Sequence, residues 1–275
     1  MSLTTLTDKV VVVTGAGSGI GRALALRSAR AGALLALSDW DRDGLAETVA
    51  LAEQAGATKV RQDVVDVSDR AAVATWAAGV VEELGRVNLV VNNAGVSATG
   101  DFSDLTYDDL DWIVGINFWG VVHGSKEFLP HLVASGDGAL VNISSLFGLV
   151  SVPGQSAYNA TKYAVRGLTE AIREEMLVNR HPVTVTCVHP GGIRTGISRH
   201  GRKAAGLDAA RIDALFEKKL AKMSPDRAAE IILDGALAGK PRVLVGLDAH
   251  LIHQFGRIAG ARYQDVVARL AARTR

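Results

Sequence analysis

The chain has 275 residues, 48% of them apolar and 21% charged, with 30 Lys and Arg against 29 Asp and Glu. A net charge of +1 gives no global pull toward nucleic acid or an acidic membrane. No run approaches the ~18 apolar residues of a membrane span, and the N-terminal MSLTTLTDK lacks the basic and apolar regions of a secretory signal, so a cytoplasmic protein with one domain over residues 1–275 is expected.

The first predicted element is Lys9–Thr14, an apolar, β-branched run with the composition of a strand buried on both faces. TGAGSGIG follows at Thr14–Gly21, and then a helical pattern that ends at Gly32. Further strands are expected at Leu34–Ser38, Thr58–Gln62, Val87–Asn92, Ala139–Ile143, Val183–His189 and Arg242–Val245. Helical patterns lie near 20–31, 42–55, 69–84, 105–134, 156–180 and 225–239. Gly32, Gly56, Gly85 and Gly136 punctuate helix ends, while Ser68-Asp69 and Ser224-Pro225 mark helix starts. Buried strands alternating with helices predict an α/β fold, a doubly wound seven-stranded parallel sheet flanked by helices. The lone cysteine, Cys187, falls in a strand pattern and reads as a buried structural thiol.

Two segments break this rhythm. Residues 196–222 are polar and basic and follow the sixth strand, where a segment at the carboxyl edge of the sheet can cover a ligand. They are expected to form a substrate loop and mobile lid, with Ile212, Leu215, Phe216 and Leu220 closing on an apolar ligand. Residues 247–275 form a helical extension: Leu251, Ile252, Phe255 and Ile258, then Tyr263, Val266, Val267 and Leu270, recur at helical spacing. Such stripes pack on the same chain or on a sister subunit.

Tyr158 and Lys162 lie four residues apart in SAYNATKYAV, so a helix places phenol and ammonium on one face. A nearby ammonium favours the phenolate and lowers a tyrosine pKa from about 10 toward the working range. Ser145, thirteen positions before Tyr158, can hydrogen-bond a substrate oxygen while the phenol gives or takes a proton; Ser144 is the competing choice. Strand, glycine loop and helix form the setting in which a dinucleotide pyrophosphate meets a helix N-terminus.

The glycines Gly15, Gly19 and Gly21 are spaced T-G-x-x-x-G-x-G rather than G-x-G-x-x-G. With Ser145, Tyr158 and Lys162 behind it, this loop resembles the short-chain dehydrogenase/reductase family. The likeness continues through NNAG at Asn92–Gly95, through Asn117, and through PGGIRT at Pro190–Thr195, over residues 8–246. The resemblance implies a Rossmann-like fold and an oxidoreductase that moves a hydride between a nicotinamide dinucleotide and a secondary alcohol or ketone. By it, Ser145 polarises the substrate oxygen, Tyr158 is general acid or base, Lys162 tunes the tyrosine and binds the nicotinamide ribose, and Asn117 keeps a relay water behind Lys162. It assigns Gly15, Ser18, Gly19, Ile20 and Gly21 to the pyrophosphate and Asp63 and Val64 to the adenine. Asn93, Ala94 and Gly95 would line the adenosine and ribose, with Ile116 near the nicotinamide side. Pro190, Gly191, Ile193 and Thr195 would orient the nicotinamide ring.

Asp39 ends the second strand, where a carboxylate binds ribose hydroxyls and repels a 2′-phosphate, so NAD is expected rather than NADP. NADP-preferring relatives carry Arg or Lys where this chain has Ser18 and Trp40; Arg22 and Arg42 are offset and read as helix-surface residues. Substrate contacts are expected from Ser145, Phe147, Gln155 and Tyr158, with Val96, Leu146, Val152 and Ile193 as further wall, which suggests a hydrophobic alcohol or ketone. Two other functions stay open: an NADPH-dependent ketoacyl-type reductase, disfavoured by Asp39 and Ser18, and a non-enzymatic dinucleotide sensor, disfavoured by the intact Asn-Ser-Tyr-Lys set. No metal is expected, since the histidines lack ligand spacing and the His250/His253 pair has no third partner. The helices near 105–134 and 156–180 carry Phe118, Trp119, Val121 and Val122, and Ala164, Leu168, Ile172 and Met176. In the resembling family such helices pair about a two-fold axis, which implies a homo-oligomer, tetramer or dimer.

Overall fold

The structure is a computed structural model that describes residues 3–216, 218 and 221–272. Its strands are β1 (Val10–Thr14), β2 (Leu34–Asp39), β3 (Val60–Val64), β4 (Leu89–Asn92), β5 (Ala98–Thr99), β6 (Gly138–Ile143), β7 (Val183–Pro190), β8 (Arg202–Lys203) and β9 (Arg242–Val245). Its α-helices are α1 (Gly19–Arg30), α2 (Arg42–Gln54), α3 (Arg70–Leu84), α4 (Tyr107–Val114), α5 (Gly120–Ser135), α6 (Ser156–Val178), α7 (Ala209–Leu215), α8 (Pro225–Leu237), α9 (Leu247–Ala259) and α10 (Tyr263–Ala272).

Seven strands form one parallel sheet in the order β3-β2-β1-β4-β6-β7-β9. Both faces are covered, which is why β1 can be four valines in a row. Val11 and Val13 join the core on the α1 and α8 side, whereas Val12 joins the one on the α3 and α5 side. Successive side chains point to opposite faces, so a two-sided strand needs no polar alternation. The strand order reverses between β1 and β4, and a crevice opens beyond their carboxyl ends. This is the doubly wound, Rossmann-like architecture expected from the sequence.

The helix signals act as read. Asp69 caps α3 by accepting from Ala71 and Ala72, and Ser224 caps α8 by accepting from Arg227. Gly85 and Gly136 close α3 and α5 in the left-handed region, at φ 75° and 78°. Cys187 is fully buried, and burial pushes its thiol up to about 12.

Two expectations shift. The third strand runs two residues later than Thr58–Gln62, because pairing with β2 sets Val60 against Leu35 and Asp63 against Ser38. The helix expected at 105–134 is two helices joined by a π-helical turn, Gly115–Trp119, in which the Gly120 N–H reaches back to the Gly115 carbonyl. Such turns widen a helix by one residue and recur at functional sites; this one carries the buried Asn117. Residues 196–204 contact the loop after β4: β8 pairs with β5 and the Ser97 hydroxyl donates to the Ile197 carbonyl at 2.9 Å. Asp213 at the far side of the segment accepts from Ser198 at 2.6 Å and pairs with Lys203 at 3.0 Å. Within the apolar stripe read on this segment, Leu215 is exposed, and Leu220 lies outside the described residues.

Val121, Ile172 and Met176 turn inward, while Trp119, Tyr163, Leu177 and Val178 are exposed on the outer faces of the same helical stretches. Among the described residues no helix is long and apolar enough to cross a membrane.

His189 in β7 is fully buried, with Nδ1 2.9 Å from the Ser145 carbonyl, so this nitrogen carries the proton and donates. Burial brings the ring down from its ordinary 6.5 to about 4. Above pH 6.5 the ring is neutral in folded and unfolded chains alike; between 6.5 and 4 only the unfolded chain takes the proton, and stability falls. The expected loss is about 3 kcal/mol across that window. Thermal melting from pH 7 to pH 4 checks this, with His189→Asn as the non-titrating control: parallel acid profiles for the two proteins would show that His189 does not carry the effect.

Candidate active site

The crevice begins where β1 and β4 end. The buried Thr14 hydroxyl accepts the main-chain N–H of Asn93 and of Ala94, each at 3.0 Å. The Asn93 side chain donates back to the carbonyls of Thr14 and Gly15, at 2.9 and 3.1 Å. Asn93 and Ala94 are thus laced to the glycine loop, a fastening that their motif alone does not reveal. A Cβ on Gly15 would lie 2.8 Å from the Cα of Ala94, and one on Gly21 would overlap the Gly15 carbonyl. Only glycine fits at either place. Ser18, at the N-cap of α1, makes no side-chain cap bond, and the first turn holds no acidic residue. Helices α3 and α8, by contrast, have their first amides capped by their own side chains. The exposed start of α1 therefore suits an anion such as a dinucleotide pyrophosphate. Ile20 leans on the core beneath it.

Asp39 lies under the same loop, nearly buried, accepting from the Gly17 N–H at 2.7 Å and the Asp41 N–H at 2.9 Å. Arg22 is no surface residue. Its guanidinium joins the Gly17 carbonyl at 2.6 Å, Thr48 at 2.9 Å and Glu47 at 2.7 Å, stapling the loop to α2. Trp40 is exposed beside Asp39, at 77%. Asp63 is held by Arg61 through two parallel bonds of 2.8 and 2.9 Å, a pairing not read from the sequence, while Val64 is open to solvent.

Helix α6 carries Tyr158 and Lys162 to the end of β6, where Ser145 begins a short 3-10 turn and its hydroxyl accepts the Phe147 N–H at 3.1 Å. All three residues are buried. Ser145 favours the ionised Tyr158 phenol, yet burial outweighs it and raises the phenol above its ordinary 10. Burial also lowers Lys162 to about 8. The expectation that the lysine depresses the tyrosine is therefore reversed in the free protein. The ammonium stands 5.6 Å from the phenol ring centre and donates to the Ile143 carbonyl at 3.1 Å, so the dominant force on each group is loss of water. Ser144 donates to the Lys162 carbonyl at 2.8 Å, which leaves Ser145 as the serine beside the phenol.

Asn117 does not stand free behind Lys162. Its side-chain oxygen accepts the Val96 N–H at 2.8 Å, and its amide donates to the Val96 carbonyl at 2.9 Å. Gly95 passes between: a Cβ there would lie 3.2 Å from the Asn117 oxygen and 3.4 Å from Lys162 Nζ. Ile116 is half-buried on the same π-helical turn.

An apolar cluster surrounds Tyr158. Phe147 meets its ring edge-on at 6.2 Å, and Val96, Ala98, Leu110, Trp112 and Ile197 complete the wall. Val96 and Phe147 were expected, and Ile197 belongs to the 196–222 segment expected over the ligand; Leu110 and Trp112 were not expected. Trp112, five residues before Asn117, was the available signal, but it reaches the site only because β5 pairs with β8 and Arg202 lies 4.4 Å over its ring. Gln155 donates to Thr99 at 2.8 Å, Val152 is held through its N–H by Asn159, and Leu146 is buried. Ile193 departs from the reading as substrate wall, because its side chain is buried in the core on the α8 side.

Residues Pro190–Thr195 leave β7 on the other flank. The Gly191 N–H donates to the Val245 carbonyl and the Arg194 N–H to the Met223 carbonyl, both at 2.9 Å. Thr195 returns to the glycine loop, where a Cβ on Gly19 would lie 3.1 Å from its methyl. The glycine loop, the loop after β4, the Ser-Tyr-Lys group and this segment thus share one crevice.

The family model described as short chain dehydrogenase matches residues 9–206. The chain is 54% identical over 260 residues to SadH of Mycobacterium tuberculosis, covering 94% of each protein. It is 40% identical over 190 residues to epidermal retinol dehydrogenase 2 of Mus musculus, covering 69% of this chain and 62% of that one. Among solved structures, a short-chain dehydrogenase/reductase from Burkholderia phymatum in complex with NAD superimposes with a TM-score of 0.87 at 30% identity, over 94% of this chain and 96% of that one. Motifs, fold and relatives agree, and the chain belongs to the short-chain dehydrogenase/reductase family of oxidoreductases.

Proposed function

We propose that this protein is an NAD-dependent alcohol dehydrogenase or carbonyl reductase acting on a hydrophobic secondary alcohol or ketone. The observation that carries the reading is the buried Tyr158 phenol, influenced by Ser145, backed by Lys162 and walled by apolar side chains. A bound nicotinamide dinucleotide supplies the hydride acceptor for oxidation and the donor for reduction. The chain supplies orientation and proton traffic. Ser145 donates to the substrate oxygen, and Tyr158 takes the alcohol proton or gives one to the ketone. Lys162, still mostly charged at pH 7 with a pKa of about 8, stabilises the phenolate as it forms. Asn117 acts by holding Val96 and Gly95 against that lysine.

On the cofactor side, Gly15, Ser18, Gly19, Ile20 and Gly21 receive the pyrophosphate, and Pro190, Gly191, Ile193 and Thr195 the nicotinamide. Asn93, Ala94, Gly95 and Ile116 line the path between, with Asp63 and Val64 at the adenine. NAD is favoured over NADP because Asp39 occupies the ribose end while Arg22 is spent on Gly17, Thr48 and Glu47. The relative complexed with NAD supports the same choice. The retinol dehydrogenase relative is named for an apolar alcohol, in keeping with the wall around Tyr158. We also take the chain to be a homo-oligomer, tetramer or dimer, that buries Trp119, Tyr163, Leu177 and Val178 between copies.

Turnover of a panel of secondary alcohols, their primary counterparts and the matching ketones, with NAD and NADP, tests the function directly. Tyr158→Phe should lower kcat by about 10²-fold or more while NAD affinity stays within a few-fold, since general acid-base groups contribute ~10²–10⁴. Lys162→Ala should weaken both. A Tyr158→Phe enzyme that keeps more than about a tenth of wild-type kcat would falsify the assigned role.

Asp39→Asn combined with Trp40→Arg should raise kcat/KM for NADP relative to NAD by about tenfold or more, by removing a repulsive carboxylate and adding a phosphate partner. A wild-type enzyme that already prefers NADP overturns the reading of Asp39.

Light scattering at micromolar concentration should find a mass of at least twice the 28.9 kDa chain. A species of 28.9 kDa alone defeats the oligomer.

A further inference from the structure

The segment Pro190–Thr195 is held by a residue far from every motif considered so far. Asp248 is the second residue of α9, in the C-terminal extension. Its carboxylate reaches across to accept the Gly192 N–H at 2.7 Å. The space around it is cut to fit: a Cβ on Gly191 or on Gly246 would overlap the carboxylate oxygens. Gly246 also adopts φ 108°, the turn by which the chain leaves β9 and presents Asp248 to the loop. The Gly192 carbonyl, on the other side, accepts the N–H of Lys222 at 3.0 Å and of Met223 at 3.2 Å. Gly192 is therefore gripped at both main-chain polar groups, and Asp248 is the side-chain half of the grip.

The same extension touches the opposite flank of the crevice. The Tyr263 hydroxyl accepts the Ser151 N–H at 2.9 Å, and a Cβ on Gly256 would come within 2.8 Å of Val150. Residues 149–152 follow the turn that begins at Ser145. The C-terminal helices thus brace the two loops that bound the Ser-Tyr-Lys group.

We infer that Asp248 is a positioning residue for the nicotinamide end of the site: its carboxylate sets the conformation of Pro190–Thr195, and the C-terminal extension is part of the catalytic apparatus. The inference rests on the reading above that this segment contacts the nicotinamide. The argument is one of hydrogen-bond satisfaction. Without the acceptor, the Gly192 N–H loses its partner; the Gly191 N–H, the Gly192 carbonyl and the Arg194 N–H keep theirs, so the change falls on the peptide between the two glycines, which no side chain restrains.

Calorimetric binding of NAD and of ADP-ribose, which lacks the nicotinamide, tests it on wild type, Asp248→Ala, Asp248→Asn and Thr195→Ala, each with its melting temperature. Asp248→Ala should weaken NAD by about tenfold, as expected from one lost charge-assisted bond, and leave ADP-ribose within about twofold. Asp248→Asn, which keeps an oxygen for Gly192, should recover most of the NAD affinity. Where turnover is measured, KM for NAD should rise more in Asp248→Ala than KM for the alcohol. Equal weakening of both ligands by Asp248→Ala would reduce the residue to general stability and overturn the proposal. So would unchanged NAD binding in Asp248→Ala while Thr195→Ala loses it, an outcome that leaves the loop's contact with nicotinamide standing. If neither Thr195→Ala nor Asp248→Ala discriminates NAD from ADP-ribose, the contact itself is wrong and the inference falls with it.

Discussion

Two stretches of backbone approach each other at the carboxyl ends of β1 and β4 more closely than any side chain would allow, and the rest of the site is hung on that approach. Gly15 lies against Ala94 and Gly21 against the Gly15 carbonyl, so the turn has no room for a Cβ. Thr14 locks the approach with one hydroxyl that accepts two amides. Asp39, Arg22 and Thr48 take up polar groups of the loop backbone, so the loop holds its shape while the start of α1 has no side-chain cap. A loop that used those first amides for its own capping would have nothing left to offer an anion.

The second constraint is dehydration. Tyr158 and Lys162 sit on one face of α6 as their spacing requires, but both are sealed from water, and burial pushes the phenol up and the ammonium down. The two pKa values move in opposite directions, the phenol above its ordinary 10 and the ammonium down to about 8, which disfavours the phenolate in the free protein. In such a site the lysine's charge is felt strongly, because little solvent screens it, yet that charge is itself costly to keep. The polar groups behind it share the load: Ile143 accepts from the ammonium, and Asn117 fixes the neighbouring chain through both ends of its amide. His189, buried and bonded to the Ser145 carbonyl, steadies the serine from below.

Much of this was readable from residues in order. The valine run of β1, the glycine spacing, the caps at Asp69 and Ser224, and the Ser145, Tyr158 and Lys162 series each carry local information that the fold then uses as written. The misreadings share a different cause. Arg22 looked like a surface residue because its partners, Thr48 and Glu47, lie on the next helix. The bidentate bond from Arg61 to Asp63 was not read, because nothing in the sequence marks that pairing across an i, i+2 step of one strand. Ile193 looked like pocket wall, but its backbone pairs with Met223, and that bridge turns its side chain to the core.

What the sequence by itself determined was the set of local instructions: strand and helix types, their alternation, the family motif and the chemical groups it supplies. These depend on spacing along the chain, where periodicity and steric restriction act directly. Tertiary structure decided which of those groups keep a free hand. The reversal of the Tyr158 shift depends on burial from several elements at once, the π-helical turn at Gly115–Trp119 on how α4 and α5 must both pack, and the hold of Asp248 on Gly192 on contact across 56 residues of chain. Desolvation and long-range hydrogen bonding are properties of the assembled volume, and no window of sequence contains them.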